Sequence, residues 1–252
     1  METGLGLVKA IAGTALNFIY PPVCVACGAA IVVSDTLCAA CFQRLHAISA
    51  PFCPILGIPF ATDPGPGTVS LEALAETRPY ERARAAVVYS DVAQRIISRL
   101  KYADRPELAR FVAQQMLRAG AEYWDQNPVL LPVPLHWQRR LMRRYNQAEE
   151  IGRRLSQLSG AEMIPGLLRR KAPGRRQVGL SGAERRRNLE RVFEAAPEAL
   201  SRIKGRPIVL IDDVITTGTT MRASAAALRK AGAERIDVLA FARVVTAVEL
   251  PI

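Results

Sequence analysis

No stretch of this chain holds the roughly 18 successive uncharged apolar residues that a membrane-spanning helix needs, so the sequence gives no place to such a span. Acidic side chains are scarce as well: 23 Asp and Glu stand against 34 Lys and Arg, a formal net charge of +11. That imbalance fits a polyanionic partner such as nucleic acid, a phosphorylated ligand or an acidic membrane surface, and it also fits a solvated arginine-rich surface. Aromatic residues make up only 6% of the chain. Within the basic segments they are essentially Trp137 and Tyr145, too few for a platform on which bases stack. Of the two histidines, His46 and His136, the second sits after a Pro-Val-Pro turn where a structural role fits better than a general base. The N-terminal METGLGLVKAIAGTALNFIYPP lacks the basic start and small-residue cleavage site of a signal peptide. Its apolar residues recur at helical spacing, so an amphipathic helix over residues 1–22 and a cytoplasmic location are expected.

Half of the 252 residues are hydrophobic, enough for a large core with a smaller domain beside it. Four of the five cysteines fall in two Cys-x-x-Cys pairs, Cys24 with Cys27 and Cys38 with Cys41. Two such pairs supply the tetrahedral sulfur set that zinc prefers, whereas two disulfides would need an oxidising compartment and two redox motifs would leave the doubling unexplained. A zinc ribbon over residues 23–57 is expected, its metal substituting for a core that so short a segment cannot build. Cys53 opens Cys-Pro-Ile-Leu-Gly, half of another knuckle with Leu56 where a second cysteine would stand. Cys53 and His46 are therefore expected to be bystanders.

Glycines and prolines in GIPFATDPGPGT mark residues 58–82 as a linker, and 83–252 as the main domain. Strands are expected near 83–89, 129–133, 208–211 and 236–245, and helices near 92–102, 107–124, 144–158 and 220–231. Such alternation implies a mainly parallel α/β sheet whose ligands bind at the carboxyl ends of its strands. At one of those ends lies VLIDDVITTGTT. Asp212 and Asp213 are adjacent carboxylates leaving the apolar strand, a costly pair unless a ligand uses them. Thr216, Thr217, Thr219 and Thr220, with Gly218 allowing close approach, run into the start of a helix, where free amides and hydroxyls make a cradle for a phosphate. Carboxylates for vicinal hydroxyls beside a phosphate cradle would read a sugar and its phosphate together.

That motif resembles the phosphoribosyl pyrophosphate (PRPP) loop of type I phosphoribosyltransferases. The resemblance implies that Asp212 and Asp213 face the ribose hydroxyls and residues 216–220 the 5′-phosphate, with magnesium carried mainly by the ligand's pyrophosphate. Leu100-Lys101-Tyr102, the stretch PVPLHWQRR, then Arg143-Arg144-Tyr145-Asn146-Gln147, and the series Arg169, Arg170, Lys171, Gln177, Leu180, Arg185, Asn188 and Phe193 together resemble the ComF family. That family is phosphoribosyltransferase-like, carries an N-terminal cysteine ribbon and is associated with competence and DNA uptake. This chain departs from its Arg-Gly-Phe-Asn-Gln pattern by lacking the glycine.

Arg139, Arg140 and Arg143 lie where a pyrophosphate loop is expected, and guanidinium groups match phosphate oxygens bidentately. Residues 169–188 carry eight basic side chains and one acid among three glycines and a proline. This segment, with Arg175, Arg176 and Arg185, reads as a loop closing over an anionic ligand, as a nucleic-acid contact, or as both. Two functions remain open on these grounds. One is an enzyme transferring ribosyl phosphate from PRPP to an acceptor. The other is a non-catalytic PRPP-sensing module that holds single-stranded DNA for a DNA-processing partner such as a helicase.

Overall fold

The computed structural model describes residues 21–75, 77–102, 106–135, 146–170, 192–196 and 200–245. Most of residues 1–22, and with them the expected N-terminal helix, lie outside the described residues.

Five strands form one wholly parallel sheet: β1 (Arg82–Val88), β2 (Val129–Pro132), β3 (Glu162–Met163), β6 (Ile208–Ile215) and β7 (Ile236–Arg243), in the order β1-β7-β6-β2-β3. Two short strands, β4 (Leu168–Arg170) and β5 (Phe193–Ala195), pair antiparallel beside it. The middle strands read as continuous apolar runs because helices cover both faces. Val209 and Ile211 pack with Ile96, Val112 and Leu155 on one face. Leu210 and Ile208 pack with Met221, Ala225 and Leu228 on the other.

Two adjacent strands send the chain in opposite directions. From β2 it goes through the Gln147–Ser159 helix to β3 on one side, and from β6 through the Thr219–Lys230 helix to β7 on the other. The carboxyl ends of β2 and β6 thus form a topological switch point, where a crevice opens in sheets of this kind.

Local chemistry moves several element boundaries from their expected places. The helix expected from 144 begins at Gln147, because Asn146 caps it: the Asn146 side chain accepts the Ala148 N–H and donates through Nδ2 to the Val133 carbonyl at 3.2 Å. The long helix expected over 107–124 is two, Pro106–Ala119 and Ala121–Trp124, broken at Gly120, where an added Cβ would lie 2.9 Å from Leu239. Strand β6 also runs further than expected, carrying Asp212 and Asp213 within it; Asp212 stands opposite Ala240 of β7.

The segment before β1 is part of the core. Residues 46–48 pair with the outer edge of β1: the Val88 N–H donates to the His46 carbonyl at 2.8 Å and the Ile48 N–H to the Ala86 carbonyl at 3.0 Å. Covering an edge strand in this way removes a row of unpaired amides from solvent. From that edge the chain reaches both faces of the sheet. Cys24, Val25 and Ala26 are buried with the Asp91–Tyr102 and Pro106–Ala119 helices, whereas Cys53, Leu56, Ile58 and Tyr80 are buried on the Thr219–Lys230 side. Arg99 fastens the first contact by donating to the Cys24 carbonyl at 3.1 Å and the Val25 carbonyl at 3.3 Å.

Candidate functional site

The four paired cysteines converge. Their Sγ atoms lie within 4.8 Å of one another, and those of Cys27 and Cys38 are 3.7 Å apart. Four thiolates about 2.3 Å from a tetrahedral zinc would be spaced by about 3.8 Å, so this donor set fits zinc. Cys24 and Cys41 are buried while Cys27 is exposed. Four protein ligands leave no open coordination position, as in a structural site. The turn after the first pair depends on Gly28, whose φ of 81° is open to few other residues.

At the switch point lies a cavity of about 740 Å³. Asp212, Asp213, Thr216 and Thr220 line it together with Lys101 and Arg170. Thr217, Gly218 and Thr219 form the tip of the loop and are not among the lining residues. The Thr217 and Thr219 hydroxyls are 2.8 Å apart, and Arg222 donates to Thr219 Oγ1 at 3.4 Å. Gly218 caps the Thr219–Lys230 helix in the left-handed region at φ 71°, and no side chain of the described residues caps it. The first-turn amides of that helix therefore face a space already lined by hydroxyls, a favourable place for an anion.

The two carboxylates are not equivalent. Asp213 pairs with Lys101, Nζ to Oδ2 at 2.7 Å, both side chains largely buried. Asp212 turns back on the strand and accepts the Asp213 N–H at 2.8 Å. Burial first, and the Asp213 charge second, push the Asp212 carboxyl well above the ordinary carboxylate range; the Asp213 amide and Lys101 only partly oppose them. An acid whose pKa is raised by folding destabilises the native state wherever it must be charged, so stability falls as pH rises from the unfolded value of about 4 through the raised one. Asp212→Asn should raise the thermal midpoint at neutral pH. The gain should close as pH approaches about 4, and calorimetry across pH reads both.

Arg139, Arg140 and Arg143 lie outside the described residues, as do Arg175, Arg176, Arg185 and His136. Several lining residues carry no signal in the sequence that marks them as site residues. Lys101 belongs to a motif without an evident role, and Arg170 is one of many arginines. Tyr89, just beyond β1, and Asn146 and Gln147, at a helix start, are brought in by the parallel topology.

Comparison with known proteins finds both domains. Residues 15–71 match the model of a double zinc ribbon domain and residues 156–248 that of a phosphoribosyl transferase domain. Competence protein F of Haemophilus influenzae is 37% identical over 114 residues, 45% of this chain and 49% of that protein, so the match spans about half its length. DNA utilization protein YhgH of Escherichia coli is 29% identical over 82% of this chain and 90% of its own length. The protein of that name from Salmonella typhimurium is 28% identical over 88% and 97%. A solved chain titled as an allosteric regulatory enzyme of purine biosynthesis aligns with a TM-score of 0.37 at 24% identity, covering 56% of this chain and 29% of that one, and adds nothing to the fold. No helix of the described residues is long and apolar enough to cross a membrane.

Proposed function

We propose that this chain, a homologue of Competence protein F and DNA utilization protein YhgH with a zinc ribbon ahead of a phosphoribosyltransferase domain, binds PRPP and magnesium in the switch-point cavity in support of competence and DNA uptake. The observation that carries this reading is the meeting of Asp212, Asp213, Thr216 and Thr220 in one cavity at the carboxyl ends of β2 and β6. An anion at the uncapped helix start would place a 5′-phosphate on the threonine loop, and the ribose hydroxyls would then lie toward the acidic pair, which can accept their hydrogen bonds. The pyrophosphate, with magnesium on its oxygens, would extend toward Lys101 and Arg170, and Arg139, Arg140 and Arg143 are proposed as further phosphate ligands. Magnesium keeps most of its water and takes few protein ligands, which suits delivery with the ligand.

Lys101 then has two roles. In the free protein it neutralises Asp213, limiting the cost of two carboxylates in one place. With ribose hydroxyls donating to Asp213, the Lys101 ammonium would be free to turn to the leaving pyrophosphate. The chemistry this favours is displacement at the anomeric carbon: the C–O bond to pyrophosphate breaks, an acceptor supplies the new bond, and nearby carboxylates stabilise the cationic sugar between them.

The charge of +11 favours a second reading, in which PRPP binding regulates a module that holds single-stranded DNA for a helicase or other processing partner. Pyrophosphate release from PRPP decides between them when assayed over a panel of acceptors with and without single-stranded DNA. Release dependent on one acceptor is expected for the transferase, and saturable binding without release under every condition overturns it in favour of the module.

A further inference from the structure

The turn that begins at Cys24 occurs twice. Around the first copy, the Cys24 N–H donates to the Ala29 carbonyl at 2.8 Å, the Gly28 N–H to the Cys24 carbonyl at 2.9 Å and the Ile31 N–H to the Pro22 carbonyl at 2.9 Å. Around the second, the Cys53 N–H donates to the Ile58 carbonyl at 2.8 Å, the Gly57 N–H to the Cys53 carbonyl at 2.8 Å and the Phe60 N–H to the Pro51 carbonyl at 3.0 Å. The bridge between Val23 and Ala30 has its counterpart between Phe52 and Pro59, and both turns rest on a glycine at positive φ, Gly28 at 81° and Gly57 at 64°. A short helix downstream of each turn repeats as well. Cys38 precedes a five-residue helix, Ala39–Gln43, and the Phe42 N–H donates to its carbonyl. Ser70 precedes a five-residue helix, Leu71–Ala75, and the Leu74 N–H donates to its carbonyl. The segment is thus a duplicated ribbon with a longer connection in its second half.

The correspondence assigns each ligand of the first lobe a counterpart in the second: Cys53 for Cys24, Leu56 for Cys27, Ser70 for Cys38 and Ala73 for Cys41. A double zinc ribbon implies a second metal, and these residues do not fit one. They offer a single thiol, a hydroxyl and two hydrocarbon side chains, short of the four strong donors of a structural zinc site. The space is used differently. Cys53 Sγ accepts the Leu56 N–H at 3.5 Å and the Ser70 N–H at 3.4 Å, so the two half-sites are joined directly by a hydrogen bond to sulfur. Cys53, Leu56 and Ala73 are buried at 0%, 3% and 6% exposure within the core cluster that contains Tyr80 and Ala83.

We propose that the second lobe is a ribbon that has exchanged its metal for an apolar plug: Leu56 and Ala73 fill the metal's place, Cys53 serves as a hydrogen-bond acceptor, and the lobe holds its shape by packing on the sheet. The first lobe can do without such a plug because zinc supplies the cross-link. The second lobe lies against the Thr219–Lys230 face of the core, which supplies the apolar surface it packs on. Glu72 of its helix pairs with Arg243 at the end of β7 at 3.5 Å, and Tyr80, between that helix and β1, has its Oη 3.9 Å from where an added Cβ on Gly218 would lie.

Metal stoichiometry tests this on the whole protein. Elemental analysis should find one zinc per chain, and Cys53→Ala, folded by circular dichroism, should keep that one; two zincs in the parent, or loss of an equivalent on Cys53→Ala, overturns the proposal. The converse variant, Leu56→Cys with Ser70→Cys and Ala73→Cys, places thiols at all four corresponding positions. Reconstituted with cobalt, it should take up a second equivalent and double the tetrahedral thiolate absorption of the parent. A folded variant that stays at one equivalent overturns the correspondence. If this variant does not fold, the Cys53→Ala stoichiometry alone decides.

Discussion

PRPP and magnesium, at about a hundredfold excess over the dissociation constant, should raise the thermal midpoint by roughly 5–10 °C. Ligand linkage at that excess stabilises by about 2.7 kcal/mol, and each kcal/mol moves a chain of this size by about 2–4 °C. Replacing Asp212 and Asp213 together by Asn should erase the ligand response. In the unliganded protein the two changes act in opposite directions: Asp212→Asn removes a carboxyl that burial holds well above its ordinary range, and Asp213→Asn leaves the largely buried Lys101 without its partner, so circular dichroism must show the double variant folded. A double variant that is folded and no longer responds cannot be explained as damaged protein. Ribose 5-phosphate without pyrophosphate should give a smaller rise, because it occupies the threonine loop and leaves Lys101 paired with Asp213. A full response in the double variant would place PRPP elsewhere.

The second large effect concerns the first ribbon lobe. Cys24→Ser with Cys38→Ser should release zinc and lower the midpoint by about 10 °C or more, the effect of losing about 4 kcal/mol. The reason is the position of the lobe. Cys24 and Cys41 belong to the buried cluster that includes Ile96, Val112 and Phe241, so the metal cross-links a segment on which the main core rests. Residues 46–48, just beyond the lobe, shield the edge of β1. Freed of zinc, the segment would expose that edge and the apolar face under it, and aggregation on heating should accompany the lower midpoint. Differential scanning calorimetry with metal analysis of the same sample measures both; an unchanged midpoint in zinc-free protein would show that packing alone suffices.

Much of this architecture is legible in the residues. Fully apolar runs such as Val129–Pro132 and Ile208–Ile211 announce strands buried on both faces, and their alternation with helical periods announces a parallel sheet. The paired cysteines and the Asp-Asp and threonine cluster carry their chemistry in plain spacing. The misses have physical reasons. That β6 continues through two aspartates is a tertiary effect: β7 runs alongside it, so Val214 and Ile215 stay in register with Ala242 and Arg243. Lys101 lies far from Asp213 in sequence, and only the packing of its helix against the sheet brings the charges together. Of the second ribbon lobe only the half-knuckle at Cys53 shows in the sequence, because the rest of its identity survives in the backbone. Ser70 and Ala73 look unremarkable there, and the glycine- and proline-rich stretch before them reads as a linker although Ile58, Ala73 and Tyr80 are buried.

The most direct measurement is a crystal structure of the protein with PRPP and magnesium. Density for the 5′-phosphate at the amides and hydroxyls of Thr216–Thr220, with the ribose hydroxyls on Asp212 and Asp213 and Lys101 turned from Asp213 to the pyrophosphate, is the predicted result. An empty cavity at saturating ligand, or PRPP bound at another face of the molecule, would contradict it.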